Sequence, residues 1–208
     1  MKRLLVLLGV IAALAMSVGA ATVLADHGSD DPPNHDAGDN ACLSDGGTTE
    51  PGDDNGGALS AADHGTSGSD DINGDDTADD DSGRGGDDVI DGNGGDDNLS
   101  GDRGDDDLCG DDGDDTVNGG AGNDDMSGGA GDDDMNGNAG SDDITGDAGN
   151  DDITGGKGND VLAGNRGRDL IHARDGRTDR INCGKGDDTV KADDKDKVAS
   201  NCEHVKRS

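Results

Sequence analysis

The sequence contains no Phe, Tyr or Trp, and apolar residues make up 27% of its 208 residues. That fraction is too small for an ordinary layered core, so composition alone favours disorder or a fold held together by more than apolar packing. Glutamate is nearly absent too, since Glu50 and Glu203 are the only two among 50 acidic residues, while 40 residues are glycine. Short carboxylates on a permissive backbone are typical of tight loops.

The charge is strongly negative and unevenly distributed. The formal net charge is −34, and residues 26–156 hold forty of the acids but only Arg84 and Arg103 as basic residues. In contrast, twelve of the sixteen Lys and Arg residues lie from Lys157 onward. This composition favours cations as partners and argues against nucleic acid, whose phosphates require Lys and Arg. It also predicts that the C-terminal end is a separate region.

Residues 1–25 are predicted to be a signal peptide, because a basic start at Lys2 precedes an apolar stretch that is short for a membrane span. Small residues favour cleavage after Ala25, with Ala20 or Ala21 as alternatives. An uncleaved membrane anchor is the other interpretation. We therefore expect a secreted, extracellular mature protein without a membrane span, in a compartment where disulfides persist.

Residues 26–64 are predicted to form a disordered acidic linker, because they contain three prolines, many Asp and Gly residues, and no hydrophobic period. Three histidines with Asp neighbours, His27, His35 and His64, could hold a transition metal. Histidines scattered through an acidic linker are more often solvated.

From Gly65 to residue 172 a nine-residue unit repeats twelve times without a gap. Position one is Gly and position six is Asp in every copy, from Asp70 to Asp169. Position four is Gly and position eight is apolar in every copy but the second, which has Thr77 and Asp81 instead. Disordered low-complexity sequence does not keep four positions in phase over this length, so the repeat predicts an ordered solenoid.

The repeat predicts a turn at positions one to six and a short strand at positions seven to nine. Because neighbouring side chains of a strand point to opposite faces, position eight faces inward while positions seven and nine face outward. Two copies make one rung, with one strand in each of two parallel sheets, so twelve copies predict about six rungs. Gly at positions one and four is expected to supply positive φ, and position five to assist indirectly or cap the turn. Copy two is expected to form a poor turn and to leave Asp81 unburied.

The pattern resembles the glycine-rich nonapeptide of the RTX (repeats-in-toxin, hemolysin-type) calcium-binding family. The resemblance implies an all-β fold, a parallel β-roll (a right-handed β-helix solenoid) of tandem nonapeptides with bound calcium over residues 65–172. It also implies that each Ca²⁺ bridges turns n and n+2, as between Asp106 and Asp124, with at most about ten ions in two rows. The metal ligands so implied are Asp70, Asp88, Asp97, Asp106, Asp115, Asp124, Asp133, Asp142, Asp151, Asp160 and Asp169. The turn glycines are Gly83, Gly86, Gly92, Gly95, Gly101, Gly104, Gly110, Gly113, Gly119, Gly122, Gly128, Gly131, Gly137, Gly140, Gly146, Gly149, Gly155 and Gly158.

After His172 the phase breaks, and residues 179–190 look like a shifted repeat with an insertion. The segment resembles the Cys-closed end module that follows such repeats in some secreted members of the family. The resemblance implies that residues 173–208 form a cap closed by a Cys183–Cys202 disulfide, with two free thiols as the alternative. Cys42 and Cys109 then remain, and the linker could loop back to join them.

We expect a non-catalytic calcium-binding protein that folds on binding calcium and serves a structural or surface-interaction role, with an unidentified cell-surface or matrix partner. The chain contains no H-E-x-x-H or G-x-S-x-G motif, and two glutamates cannot supply EF-hand loops. The alternatives are a remnant or accessory module of a secreted toxin or hydrolase, and an extracellular calcium buffer or matrix component.

Overall fold

The computed structural model describes residues 64–208. The predicted signal peptide, nearly all of the predicted linker, His27, His35 and Cys42 lie outside the described residues. Within them, sixteen short strands follow one another, separated by turns. The first eight are β1 (Asp71–Asn73), β2 (Asp80–Ser82), β3 (Val89–Asp91), β4 (Asn98–Arg103), β5 (Asp107–Asp112), β6 (Thr116–Ala121), β7 (Asp125–Ala130) and β8 (Asp134–Ala139). The remaining eight are β9 (Asp143–Ala148), β10 (Asp152–Thr154), β11 (Val161–Ala163), β12 (Leu170–Ala173), β13 (Arg180–Asn182), β14 (Thr189–Ala192), β15 (Lys197–Val198) and β16 (His204–Arg207).

The strands alternate between two eight-stranded parallel sheets. Odd-numbered strands form one sheet in the order β1 to β15, and even-numbered strands form the other in the order β2 to β16. Each strand therefore pairs with the strand two places along the chain, and the fold is a parallel β-solenoid of eight rungs. This confirms the predicted fold class. The twelve repeats supply β1 to β12, which is six rungs, and residues 173–208 add two more to the same sheets.

The core is a single column of side chains along each sheet. Position-eight residues stack in register, for example Leu108 on Met126 and Met126 on Ile144. These side chains are buried from Ile72 to Ile171, with at most 3% exposure. Each nine-residue unit except copy two thus contributes one large apolar side chain, which is sparse for a folded protein.

Copy two forms its turn and buries Asp81, contrary to expectation. Asp81 is 2% exposed and occupies the inward place of β2, next to Leu99 of β4. The register of the neighbouring rung fixes this place. The turn forms without its glycine because Asp75 Oδ1 accepts hydrogen bonds from the Thr77 backbone N–H at 2.8 Å and from the Thr77 hydroxyl at 2.6 Å. The aspartate side chain replaces the flexibility that glycine gives elsewhere.

The central strands are longer than the repeat predicted. From β4 to β9 each strand has six residues, because positions two and three of the next copy also pair with the neighbouring rung. Asp102, for example, lies beside Gly120, and Arg103 beside Ala121. In these rungs the turn proper shrinks to positions four to six.

Two cysteines of the described chain join the last rungs. Cys183 and Cys202 form a disulfide with a Cα–Cα distance of 5.2 Å, which confirms the pairing implied by the resemblance. Cys109 is also disulfide-bonded. It lies in β5, at position nine of copy five, and is 3% exposed. The proposed pairing of Cys42 with Cys109 lies outside the described residues. No helix among residues 64–208 is long and apolar enough to cross a membrane.

Candidate metal-binding turns

Each position-six aspartate ends a turn immediately before a strand, and its side chain points into the solenoid. The predicted ligands from Asp88 to Asp169 are all buried, with exposures between 0% and 3%. Asp70, in the first copy, is only partly buried. An ionised carboxylate is costly to bury without a partner, so these side chains need compensation.

One oxygen of each carboxylate is compensated by the preceding rung. Asp124 Oδ1 accepts the backbone N–H of Asp106 at 3.1 Å, and Asp142 Oδ1 accepts that of Asp124 at 3.1 Å. The same bond recurs on both sides of the solenoid and defines two rows of acids. The odd row comprises Asp70, Asp88, Asp106, Asp124, Asp142, Asp160, Asp179 and Asp196. The even row comprises Asp79, Asp97, Asp115, Asp133, Asp151, Asp169, Asp188 and Glu203.

The second oxygen, Oδ2, has no hydrogen-bond partner within the described chain in any buried row member from Asp88 to Asp188. It lies against the position-one glycine of its own copy. A Cβ added to Gly101 would collide with the Asp106 carboxylate and come within 2.7 Å of the Gly119 carbonyl oxygen of the next rung. A carboxylate oxygen and a carbonyl oxygen thus converge around Gly101. Neither can donate a hydrogen bond to the other, and a cation between them would be stabilised by both.

The two turn glycines differ in role, which corrects the expectation that both have positive φ. Among the described residues, none of the repeat glycines at position one has a left-handed φ. They are required for space, as Gly101 shows. Positive φ occurs instead at position two, for example at Asp102 (68°), and at many position-four glycines such as Gly104 (136°). Where position two is left-handed it is Gly, Asn, Asp or Arg, so its conformation left no single-residue signature in the sequence.

Burial also changes the protonation of the rows. Loss of solvent raises the pKa of Asp106 and Asp142 to about 7, and the neighbouring carboxylates of the odd row add to this effect. The hydrogen bond from the preceding backbone N–H acts in the opposite direction. In the even row, burial likewise raises the pKa of Asp115 and Asp151 to about 7. Stacked carboxylates in a dry interior favour the neutral form unless a cation is bound.

The donor set fits a hard cation. The converging polar atoms are oxygens of position-six carboxylates and of backbone carbonyls, on loops that tolerate variable geometry. Ca²⁺ prefers six to eight such oxygens, and softer metals prefer His or Cys. Among residues 64–208 there is no cluster of three or more His, Cys, Asp or Glu side chains arranged for a metal. A bound Ca²⁺ would be held by position-six carboxylates of adjacent rungs together with turn carbonyls.

The rows extend beyond the residues that the sequence indicated. Asp179 and Asp188 are 1% and 0% exposed and accept the backbone N–H groups of Asp160 and Asp169 at 3.0 and 2.9 Å. They were missed because the spacing slips from 18 residues to 19 there. The available signal was an acid two residues before an apolar residue, as in Asp179-Arg180-Ile181.

Position five forms a second ladder on the outer side of the turns. Asp105 Oδ1 accepts the backbone N–H of Asn123 at 2.7 Å, and Asn123 Oδ1 accepts that of Ser141 at 2.9 Å. These bonds run in the opposite direction to those of the buried rows, from the later rung back to the earlier side chain. Position five therefore links turns rather than supplying buried oxygens.

The first two copies differ from the interior. Asp79 Oδ2 accepts the N–H of Asp75 in its own turn at 2.9 Å, and Asp70 Oδ2 accepts that of Thr66 at 2.5 Å. The oxygen that is unpartnered in later copies is therefore occupied by a local hydrogen bond, and in Asp79 it is Oδ1 that has no partner among the described residues. This arrangement makes the N-terminal turns poorer cation sites.

Comparison with known families bears on these turns. The model of the RTX calcium-binding nonapeptide repeat matches four stretches of the chain, at residues 82–108, 110–144, 136–171 and 145–178. A search of curated proteins gives no significant match. The matched stretches include the turns of Asp88 to Asp169, whose carboxylates carry an unpartnered buried oxygen, whereas the first two copies precede them.

Proposed function

Residues 82–178 are RTX calcium-binding nonapeptide repeats, and from this premise we propose that the chain is a secreted, non-catalytic protein that folds on binding several calcium ions. Its role is structural or one of surface interaction, with a cell-surface or matrix component as partner. Up to twelve intervals between turn n and turn n+2 are available, from copy one to the turn of Cys183. Interior intervals bind most tightly, because their carboxylates have no competing local hydrogen bond.

The observation that carries this proposal is the carboxylate beside each position-one glycine of the repeats, joined at most of these glycines by a carbonyl oxygen of the next rung. Asp106 Oδ2 and the Gly119 carbonyl oxygen both approach the space beside Gly101, and neither can donate. The same arrangement recurs along both rows. A divalent cation would neutralise two carboxylates of one row and would satisfy the carbonyl oxygens that face them.

Folding depends on the ion because the remaining interactions are weak. One apolar side chain per nine residues buries little surface against the conformational entropy of ordering the whole unit. Like charges also stack along each row at the inter-strand spacing of about 4.8 Å. Calcium binding removes this repulsion and ties adjacent rungs together. Without it, we expect the repeats to be expanded.

Secretion is supported by the sequence and by the family. RTX repeats are typical of secreted bacterial proteins. A basic start followed by an apolar stretch and small residues is the pattern of an export signal. Extracellular calcium modules bind at roughly 0.1–1 mM, a concentration available outside cells but not in the cytosol.

A calcium titration of residues 26–208, followed by circular dichroism, tests the proposal. In chelator we expect a coil spectrum, which changes to a β spectrum as calcium is added. Magnesium at the same concentration should have little effect, because it dehydrates reluctantly and demands octahedral geometry. A β-rich spectrum in excess chelator that calcium leaves unchanged would contradict calcium-driven folding. Capture of a partner from the surface of the secreting cell would test the interaction role.

A further inference from the structure

The position-one glycine disappears in the C-terminal rungs. Strand register places copies 13 to 16 at residues 173–182, 183–191, 192–199 and 200–206. Position one is then Ala173, Cys183 and Ala192 in copies 13 to 15, and each of these side chains is 0% exposed. The space beside the row carboxylate that glycine leaves open in the repeats is filled here by a side chain, while Oδ2 of Asp179 and of Asp188 still has no hydrogen-bond partner among the described residues.

The last interval with the repeat geometry lies just before these residues. A Cβ added to Gly164 would collide with the Asp169 carboxylate and come within 2.8 Å of the Cys183 carbonyl oxygen. Cys183 thus contributes its carbonyl to the interval below it. The Cβ and sulfur of Cys183 occupy the next interval of the even row, between the turns of copies 14 and 16.

In the even row a covalent bond spans this next interval. Cys183 precedes β14 and Cys202 precedes β16, and these strands are neighbours in the same sheet. The disulfide therefore joins turn n to turn n+2, the two turns that an ion would join in the repeats. The row ends at Glu203, whose Oε2 accepts the Asp188 N–H at 3.1 Å.

In the odd row an ammonium group spans the corresponding interval. In the repeats, the position-four carbonyl is directed at the turn of the next rung, so that a Cβ on Gly104 would collide with the Gly86 carbonyl. At position four of copy 13, the Gly176 carbonyl instead accepts a hydrogen bond from Lys195 Nζ of copy 15 at 2.6 Å. Asp196 has both oxygens satisfied, by the N–H groups of Asp179 at 3.1 Å and Asp193 at 2.6 Å.

We propose that groups of the chain itself replace calcium in the last two intervals, the Cys183–Cys202 disulfide in the even row and the Lys195 ammonium in the odd row. The C-terminal rungs, residues 173–208, then keep their fold without calcium and present a formed sheet edge to the repeats. The substitution also enlarges the core, because Ala173, Cys183 and Ala192 join the position-eight column there. The contrast with the repeats rests on the proposed function, but the stability of the C-terminal rungs does not.

Hydrogen exchange of residues 26–208 in excess chelator, with disulfides intact, tests the proposal. We expect amides of β13 and β14 to exchange at least about a hundredfold more slowly than those of β6 and β7. Equally fast exchange in both regions would overturn it. Protection of β6 and β7 in chelator would instead contradict calcium-driven folding of the repeats, so the two failures are distinguishable.

Three variants assign the effect to the bridging groups. Cys183→Ser with Cys202→Ser should abolish the protection of β14 in chelator while leaving the calcium-bound β spectrum intact. Lys195→Met should lower the protection of β13, whereas the control Lys197→Met, on the exposed face of β15, should not. Unchanged protection of β14 in the double variant would overturn the role of the disulfide. Unchanged protection of β13 in Lys195→Met would overturn that of the ammonium.

Discussion

The repeat rungs and the C-terminal rungs share two sheets and one strand register but differ in what lies between their turns. In the repeats, the position-one glycine leaves room for buried acceptors that have no donor, as at Gly101. In the C-terminal rungs, side chains such as Ala173 fill that room and Lys195 donates to a turn carbonyl, although Oδ2 of Asp179 and of Asp188 still has no donor among the described residues. The strand geometry is thus independent of the exact nonapeptide. What the nonapeptide specifically provides is the row of oxygen-lined turns.

The two regions also differ in surface charge. Three of the acids in residues 173–208 (Asp179, Asp188 and Asp196) are buried, so nine Lys and Arg residues dominate the exposed surface of the C-terminal rungs. The repeat surface carries Asp at many outward positions instead. A cationic end suits a cap, because a charged terminal strand discourages further strands from adding to the open sheet edge.

The largest expected effect comes from removing an interior row acid. Asp124→Ala deletes the acceptor of the Asp106 N–H and removes the carboxylate from two intervals, toward Asp106 and toward Asp142. We expect the free energy of unfolding at saturating calcium to fall by about 3–5 kcal/mol, as when one partner of a buried ionic contact is removed. Urea unfolding followed by circular dichroism measures it.

Asp134→Ala is the matched control, because Asp134 is an exposed outward residue of β8. It should change the free energy of unfolding by less than about 0.5 kcal/mol. Equal losses in the two variants would show that overall charge, rather than the buried row, determines stability.

The sequence predicted the features that recur every nine residues, but it missed the row acids of the C-terminal rungs and the backbone conformation at position two. The position-eight column and the position-six row followed from strict nine-residue phase, and the structure places Ile144 and Asp142 as expected. Asp179 and Asp188 escaped because one inserted residue shifts the phase, although the backbone absorbs the insertion in a turn. The left-handed position two escaped because residues as different as Arg84 and Gly120 adopt it. A regular nine-residue period identifies the positions that every unit repeats. It does not identify conformations that are determined by packing against the neighbouring rungs.

A smaller effect is expected from filling the space of a position-one glycine. Gly119→Ala would place a Cβ against the Asp124 carboxylate, reproducing in a repeat the situation of Ala173. We expect a loss of about 1–3 kcal/mol in unfolding free energy and weaker calcium binding, because overpacked atoms must shift. Gly68→Ala is the control, since its Cβ would meet only the Thr66 hydroxyl oxygen, at 3.9 Å. If both variants bound calcium like the parent chain, position one would not border the ion.

A pH effect should also appear in the calcium-free repeats. The pKa of Asp106 and of Asp142 is raised to about 7 in the folded, calcium-free solenoid, above the ordinary value of the unfolded chain. Protonation therefore stabilises the folded repeats below about pH 4, and this stabilisation is lost as the pH rises toward 7. In chelator, we expect partial β structure near pH 4 and coil at pH 7.5. Ellipticity that is independent of pH in chelator would contradict this linkage.

The smallest effect should come from Asp79, at the N-terminal end of the even row. Its Oδ2 already accepts the Asp75 N–H, and the bond from its backbone N–H to Asp97 Oδ1 survives substitution of the side chain. Asp79→Ala therefore removes one local hydrogen bond, worth about 0.5–1.5 kcal/mol, and one poor interval toward Asp97. A terminal rung also has a repeat neighbour on one side only, so its loss propagates less. We expect its calcium midpoint, measured by circular dichroism, to stay close to that of the parent chain while that of Asp124→Ala rises. Equal midpoints for Asp79→Ala and Asp124→Ala would show that the register of the turns, or the bridging of turn n to turn n+2, is wrong.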